Sequence, residues 1–284
     1  MGNPATPIPI SWFRDDIENR FGFQGGRFTR VNNLLAFFIG LLAAVAFYGS
    51  LILLKDTWLA EMFTQRGPTQ YAVVLLCGWS AAILLLKWCK LRLQRKTLSH
   101  TVVPEDPDFV LSPATVDQVM QKIFATVDDP KQFTLFNRIV VALSNLRNLG
   151  RVSDVDDILR SQAEQDQSSM ETSYSLVQSF VWAIPVLGFI GTVLGLSRAI
   201  GAFSAVLGSA VNISEISGAL QGVIAGLATA FETTLVALVA ALAIQLLLTW
   251  LKKAEEEFFD DCAEYCFRHI LSRLRLLPYE PEEA

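Results

Sequence analysis

A chain of 284 residues that is 52% hydrophobic and only 18% charged belongs with membrane proteins rather than soluble domains. Its net charge of −5, with no basic stripe, excludes a nucleic-acid binder. The sequence holds no phosphate loop, metal-ligand set or nucleophile constellation, so it reads as a non-enzyme with no cofactor and no metal.

Residues 1–32 form a polar segment that opens MGNPATPIPI, without the apolar core of a signal peptide. Its later part mixes aromatics with charges. It reads either as a segment lying on the membrane surface or as a solvated tail. Residues 33–54 carry no charge and are long enough to span a bilayer. A short outer loop, 55–69, leads to a second span at 70–89. That span is apolar to Leu86, and Lys87 is expected to snorkel from its inner end beside Trp88. Arg14, Arg20, Arg27 and Arg30 precede span one, and Lys87, Lys90, Arg92, Arg95 and Lys96 close span two. On the outer side the Lys and Arg residues are only Lys55 and Arg66 in the first loop and Arg198 at the end of span three. The positive-inside rule then places both termini and residues 90–174 in the cytoplasm.

In 90–174, Ser112 and Pro113 begin a helix that Asp128, Asp129 and Pro130 interrupt. A second apolar helix ends at Gly150. Ser153 is a candidate cap for a third, which continues without a break into span three at 175–200. An outer loop at 201–221 precedes span four at 222–251, which runs on toward Pro278 through the cytoplasmic part, 252–284. The expected fold is an all-α membrane protein with four transmembrane helices, spans three and four extending as long helices into a cytoplasmic helical region. Phe258, Cys262, Cys266 and Ile270 form an apolar stripe on the last helix. Glu255, Glu256 and Glu257 with Asp260 and Asp261 read most simply as a solvated face. Cys77, Cys89, Cys262 and Cys266 read as packing residues, since cytoplasmic disulfides are rare and His269 alone adds little as a ligand.

Two strings carry chemistry. Span three contains AIPVLGFIGTVLGL. Pro185 favours a kink, and Gly188, Gly191 and Gly195 lie on one side of the helix, where another backbone can come close. Thr192 sits beside that groove, about 15 Å in from Trp182. Taken alone these are ordinary packing features. Span four contains GLATAFETTLVALVAAL. Glu232 stands in an otherwise uncharged run, at an insertion cost of about 2.5–3.5 kcal/mol. Thr229, Glu232 and Thr233 share a face with Ala225, Val236 and Ala240. Two readings stand: an interhelical clamp, or part of an ion path. The second is preferred, because Ser or Asn would clamp at lower desolvation cost.

These strings resemble the MotA/TolQ/ExbB proton-channel family. The matching positions are Ala183, Pro185, Gly188, Gly191, Thr192, Val193 and Gly195, together with the Ala-Thr-Ala that centres on Thr229. Some relatives carry a Glu five residues before the pore Thr, where this chain has Ile224. The resemblance implies a ring-forming subunit of an ion-driven motor in the bacterial inner membrane, probable coupling ions being H⁺ first and Na⁺ second. It implies five copies around two copies of a one-span MotB/TolR/ExbD-like partner whose Asp is the main ion acceptor. Thr192, Thr229, Glu232 and Thr233 would line the ion path, and Pro185, Gly188, Gly191, Gly195 and Ala225 would form the close-packing groove. A membrane scaffold without ion flow is the alternative, and a self-contained channel ranks below both.

Overall fold

The computed structural model of the protein describes residues 9–23, 25–54, 57–64, 67–104, 109–146, 152–207 and 213–275. These residues form nine α-helices: α1 (Trp12–Asp15), α2 (Ile17–Arg20), α3 (Asn33–Leu53), α4 (Trp58–Thr64), α5 (Pro68–Arg95), α6 (Val116–Thr126), α7 (Thr134–Ser144), α8 (Val152–Leu207) and α9 (Ile213–His269). Among them no strand occurs, only two isolated β-bridges. The fold is all-α. Four helices are long and apolar enough to cross a membrane: α3 and α9, α5 with the turn that follows it, and α8. The chain is a multi-pass membrane protein.

Contacts divide the chain into two compact units, one of Met1–Asn32, Leu85–Tyr174 and Leu251–Ala284, the other of Asn33–Leu84 and Ser175–Trp250. The second unit is the apolar one. Its 21-residue α3 rises about 31 Å, the thickness of a bilayer core. Gly40 on α3 and Gly78 on α5 bring the two backbones together: a methyl at Gly40 would meet the Trp79 Cα at 2.5 Å. Trp79 then packs on Phe37 and on Phe180 of α8, with ring centroids 5.0 and 4.7 Å away. Val73, Ile184, Ala237 and Ala241 close the core between α5, α8 and α9. Large side chains such as Phe189, Phe231, Leu238 and Leu242 remain exposed, as side chains facing lipid must be.

The first unit has a conventional core. Phe133, Leu135, Phe136, Ile139 and Leu143 of the α7 region are buried with Val119 and Ile123 of α6, with Phe258 and Cys262 of α9, and with Ile270 just beyond it. From Ile10 on, the N-terminal segment is docked on the first unit rather than forming a solvated tail. Ile10 and Trp12 are buried, and Ile10 forms a bridge to Val127. The Asp128 carboxylate accepts hydrogen bonds from the Ser11 hydroxyl (2.7 Å) and from the amides of Trp12 (2.8 Å) and Phe13 (3.1 Å). It occupies the position of an anion at the start of α1. Burial pushes the Asp128 carboxyl up, but the donors from Trp12, Ser11, Phe13 and Asp129 outweigh it, so it titrates below its ordinary value.

Lys87 does not snorkel. Its ammonium lies 3.3 Å from Glu255, each side chain being 1% exposed. Glu255 also accepts from Thr29 and from the Tyr174 hydroxyl at 2.6 Å, and Lys87 sits over the Tyr174 ring at 4.1 Å. Glu255 is thus no part of a solvated acidic face. It continues the buried stripe of Phe258, Cys262 and Cys266 at helical spacing.

Other boundaries differ from the sequence reading for local reasons. Ser153 lies inside α8 rather than capping it, and Gly150 falls outside the described residues. The segment read as an outer loop, 201–221, is helical as far as Leu207 and again from Ile213. Helix α9 stops at His269, short of Pro278. Beyond it the backbone pairs with the segment ahead of α6, Leu111 N–H donating to Arg273 O at 2.9 Å and Arg275 N–H to Leu111 O at 3.0 Å.

Two outcomes follow from these contacts. The Asp128 carboxyl titrates lower when folded than when unfolded. Its clamp therefore stabilises fully above the ordinary value of 3.8 and is lost as pH falls through the folded value. The protection of the Trp12 and Phe13 amides, measured as hydrogen exchange relative to the intrinsic rate at each pH, should fall in acid, and Asp128→Ala should show the reduced protection already at pH 7. For the buried ion pair, Glu255→Ala should cost about 3–5 kcal/mol, because it strands the Lys87 charge, while the double change Lys87→Met with Glu255→Leu should restore most of that loss. Thermal unfolding in detergent measures both.

Candidate functional site

The seam between α8 and α9 in the second unit brings the polar residues of spans three and four together. It exists because α8 presents three glycines. A methyl at Gly188 would meet the Ala237 Cβ at 2.5 Å, one at Gly191 would meet the Thr233 Oγ1 at 2.7 Å, and one at Gly195 would meet the Gly226 carbonyl oxygen at 2.9 Å. All three glycines are buried. The groove they form is filled by α9 of the same chain. Helix α8 runs through Pro185, which is half-buried, without interruption.

At the centre of the seam, the Thr192 hydroxyl is hydrogen-bonded to the hydroxyl of Thr234. Thr192 also reaches the Gly188 carbonyl at 3.2 Å and the Ala230 carbonyl at 3.3 Å. Thr234 reaches the same two carbonyls, each at 3.2 Å. Four oxygens thus share two hydroxyl protons. Each hydroxyl has one proton to give and lone pairs to accept with. Rotation of the two O–H bonds turns the pair from a set of acceptors into a donor without creating charge. Both side chains are half-buried.

The other sequence candidates surround this pair in distinct ways. Thr233 is buried against Gly191, and its hydroxyl donates to the Ala230 carbonyl at 3.1 Å. Thr229 is 9% exposed and donates to the Ala225 carbonyl at 2.9 Å. Glu232 is half-buried. It lies two residues before Thr234, about 200° around the helix, so the carboxylate and the hydroxyl pair point to different sides of α9. Ala225 is exposed, and its neighbour Gly226 makes the close approach to Gly195 and Ala199. Thr234 and Gly226 are thus the seam residues that the sequence reading passed over. Thr234 carries one usable signal, a second hydroxyl beside Thr233 in an apolar run. Which of two adjacent threonines faces α8 depends on the packing phase of the two helices. Among the described residues no group of His, Cys, Asp or Glu is arranged to hold a metal.

The fold and the seam define a class: a multi-pass helical membrane protein with a close-packed, hydroxyl-bearing contact between its two longest helices. Residues 132–263 match the family model of the MotA/TolQ/ExbB proton channel family. The matched stretch takes in α7, all of α8 and α9 as far as Ala263, and therefore the whole seam. No curated protein and no solved structure matches the chain.

The glycine contacts set a direct test. Gly195→Val forces α9 away at Gly226 and Ala230, where overpacking costs on the order of 1–3 kcal/mol. Gly201→Ala, where an added methyl meets nothing within 4 Å, should not lower the thermal midpoint in detergent and can raise it, because Ala is the better helix former.

Proposed function

We propose that this chain is the ring-forming subunit of an ion-driven motor in the bacterial inner membrane. In this reading several copies, five by family resemblance, surround a one-span partner that carries an Asp. The observation that supports the reading is the Thr192–Thr234 pair, two half-buried hydroxyls held by backbone carbonyls within spans that are otherwise apolar. A carboxylate on a partner helix would be met there by a hydroxyl donor, and a protonated carboxyl by a hydroxyl acceptor. The pair suits both states by rotation alone. A neutralised Asp would pass the apolar wall of the ring, and a charged one would be held back by the cost of desolvation. Alternation between the two states under an ion gradient would step the ring.

Thr229, Thr233 and Glu232 take accessory places in this mechanism. Thr233 packs the seam at Gly191, and Thr229 extends a hydroxyl face along α9. Glu232 carries the intramembrane charge, on another side of α9 from the pair. Proton is the first choice of coupling ion and Na⁺ the second. Both termini lie in the cytoplasm by the distribution of Lys and Arg.

The experiment is gradient-driven ion flux in proteoliposomes that hold the chain together with its Asp-bearing partner. Thr192→Ala and Thr234→Ala should each leave the complex assembled and lower flux about tenfold, the loss expected for one hydrogen bond to a charged group worth about 1.5 kcal/mol. Glu232→Gln should also reduce flux with assembly intact. Full flux in all three variants would overturn the proposal. Loss of assembly in the variants, with no flux above empty vesicles even in the unaltered complex, would favour a scaffold.

A further inference from the structure

A cavity of about 520 Å³ in the first unit lies between the α1–α2 segment and the end of α5. Its walls carry five cations: Arg14, Arg20, Lys90, Arg92 and Lys96. Two carboxylates also line it, Asp15 and Asp16. The motor mechanism uses none of these groups. We propose that this cavity binds the phosphate-bearing headgroup of an acidic phospholipid from the surrounding bilayer.

Charge is the first argument. Asp15 is taken up by Arg14, whose Nε lies 3.0 Å away. Lys90 is taken up by Glu18 at 2.5 Å and by the carbonyls of Arg30 and Gly26 at 2.7 and 3.2 Å. Arg20, Arg92 and Lys96 are left to face the cavity with exposed side chains. Among the described residues none of the three has a carboxylate within ion-pair distance. Arg92 lies 3.7 Å over the Trp88 ring, which presents its guanidinium fork in a fixed plane. A planar fork of donors suits phosphate oxygens.

Position is the second argument. Leu85, Cys89 and Arg92 follow at spacings of four and three, so they share one face of α5, and Lys96 follows four residues on, in the turn that continues the helix. Leu85 is 59% exposed and belongs to the apolar run of span two, whereas Arg92 and Lys96 lie beyond its end. That face changes from hydrocarbon to charge within about three turns. A phospholipid has the same order, acyl chain and then phosphate. Phe13 and Phe21, 70% and 65% exposed, add apolar surface on the α1–α2 side. A free phosphate has no use for that surface. Basic pockets at the ends of membrane helices bind acidic lipid headgroups for these reasons.

Asp16 completes the site. Asp16 is 1% exposed at the cavity wall, and no side chain hydrogen-bonds to its carboxyl oxygens. Burial pushes the Asp16 carboxyl up against the pull of Lys90, 3.9 Å away. In its neutral form it donates to a phosphate oxygen instead of repelling it.

The full chain is to be purified, delipidated and exchanged into nanodiscs of phosphatidylcholine with or without phosphatidylglycerol, and the retained lipid counted by native mass spectrometry. Phosphatidylglycerol should be retained over phosphatidylcholine by tenfold or more, at about fivefold per cation. The triple change Arg20→Gln, Arg92→Gln and Lys96→Gln should abolish the preference. The charge-keeping set Arg20→Lys, Arg92→Lys and Lys96→Arg should keep most of it. If the triple variant loses helicity, the single changes Arg20→Gln and Lys96→Gln on exposed side chains carry the test, each with about a fivefold loss. Equal retention of the two lipids, or wild-type retention by folded variants, overturns the proposal. Displacement of phosphatidylglycerol by millimolar inorganic phosphate also overturns it, by making free phosphate the ligand.

Discussion

The close approach of α8 and α9 is the constraint on which the polar chemistry of the apolar unit depends. Helices normally pack with axes 8–10 Å apart, and at that spacing a threonine hydroxyl in a helix bonds back to its own preceding turn. Here the missing side chains at Gly188, Gly191 and Gly195 let α9 in far enough for hydroxyls to cross. Thr192 on α8 reaches the Ala230 carbonyl of α9 at 3.3 Å, and Thr234 on α9 reaches the Gly188 carbonyl of α8 at 3.2 Å. Without the glycines each threonine would serve its own helix. With them, the two hydroxyls and two carbonyls form one shared group.

That arrangement is an economical way to place polarity in a membrane. A buried hydroxyl without a partner costs free energy, and a buried charge costs more. The carbonyls of Gly188 and Ala230 have a second lone pair beyond their helical bond, so the hydroxyls are satisfied without any charge. The first unit meets polarity differently. Lys87 and Glu255 are fully buried and held by Tyr174 and Thr29, and Arg138 meets Asp166 at 2.7 Å. Such pairs gain little net stability over apolar packing but tolerate no loss of one partner. They fix which faces meet. The rotatable, uncharged pair sits in one unit and the rigid ion pairs in the other.

Much of this was legible in the sequence because composition and helical spacing govern it. Charge-free runs gave the four spans, three glycines on one face gave the groove, and Asp128, Asp129 and Pro130 gave the break after α6. What escaped depends on tertiary phase. Thr233 and Thr234 are adjacent, and only the rotation of α9 against α8 decides which meets Thr192. Glu255 stood among four other acidic residues, and its burial follows from sharing a helical face with Phe258 and Cys262 rather than from its neighbours in sequence. The N-terminal segment was read as surface-lying or solvated because the donors that dock it, the amides of Trp12 and Phe13, belong to every sequence. Their acceptor, Asp128, lies more than a hundred residues away.

The same phase argument bears on the intramembrane charge. Glu232 is the costly residue of span four, and proximity in sequence suggested that it and the threonines act as one face. Thr229 and Thr233 do share that face, but Thr234 is turned about 200° from Glu232. Among the described residues no carboxylate hydrogen-bonds to the Thr192–Thr234 pair. A group that offers both a donor and an acceptor, and contains no titrating site of its own, is complementary to a titrating site elsewhere. The seam therefore has the chemistry of a host rather than of a carrier, and the carboxylate it would serve must approach from outside the α8–α9 pair.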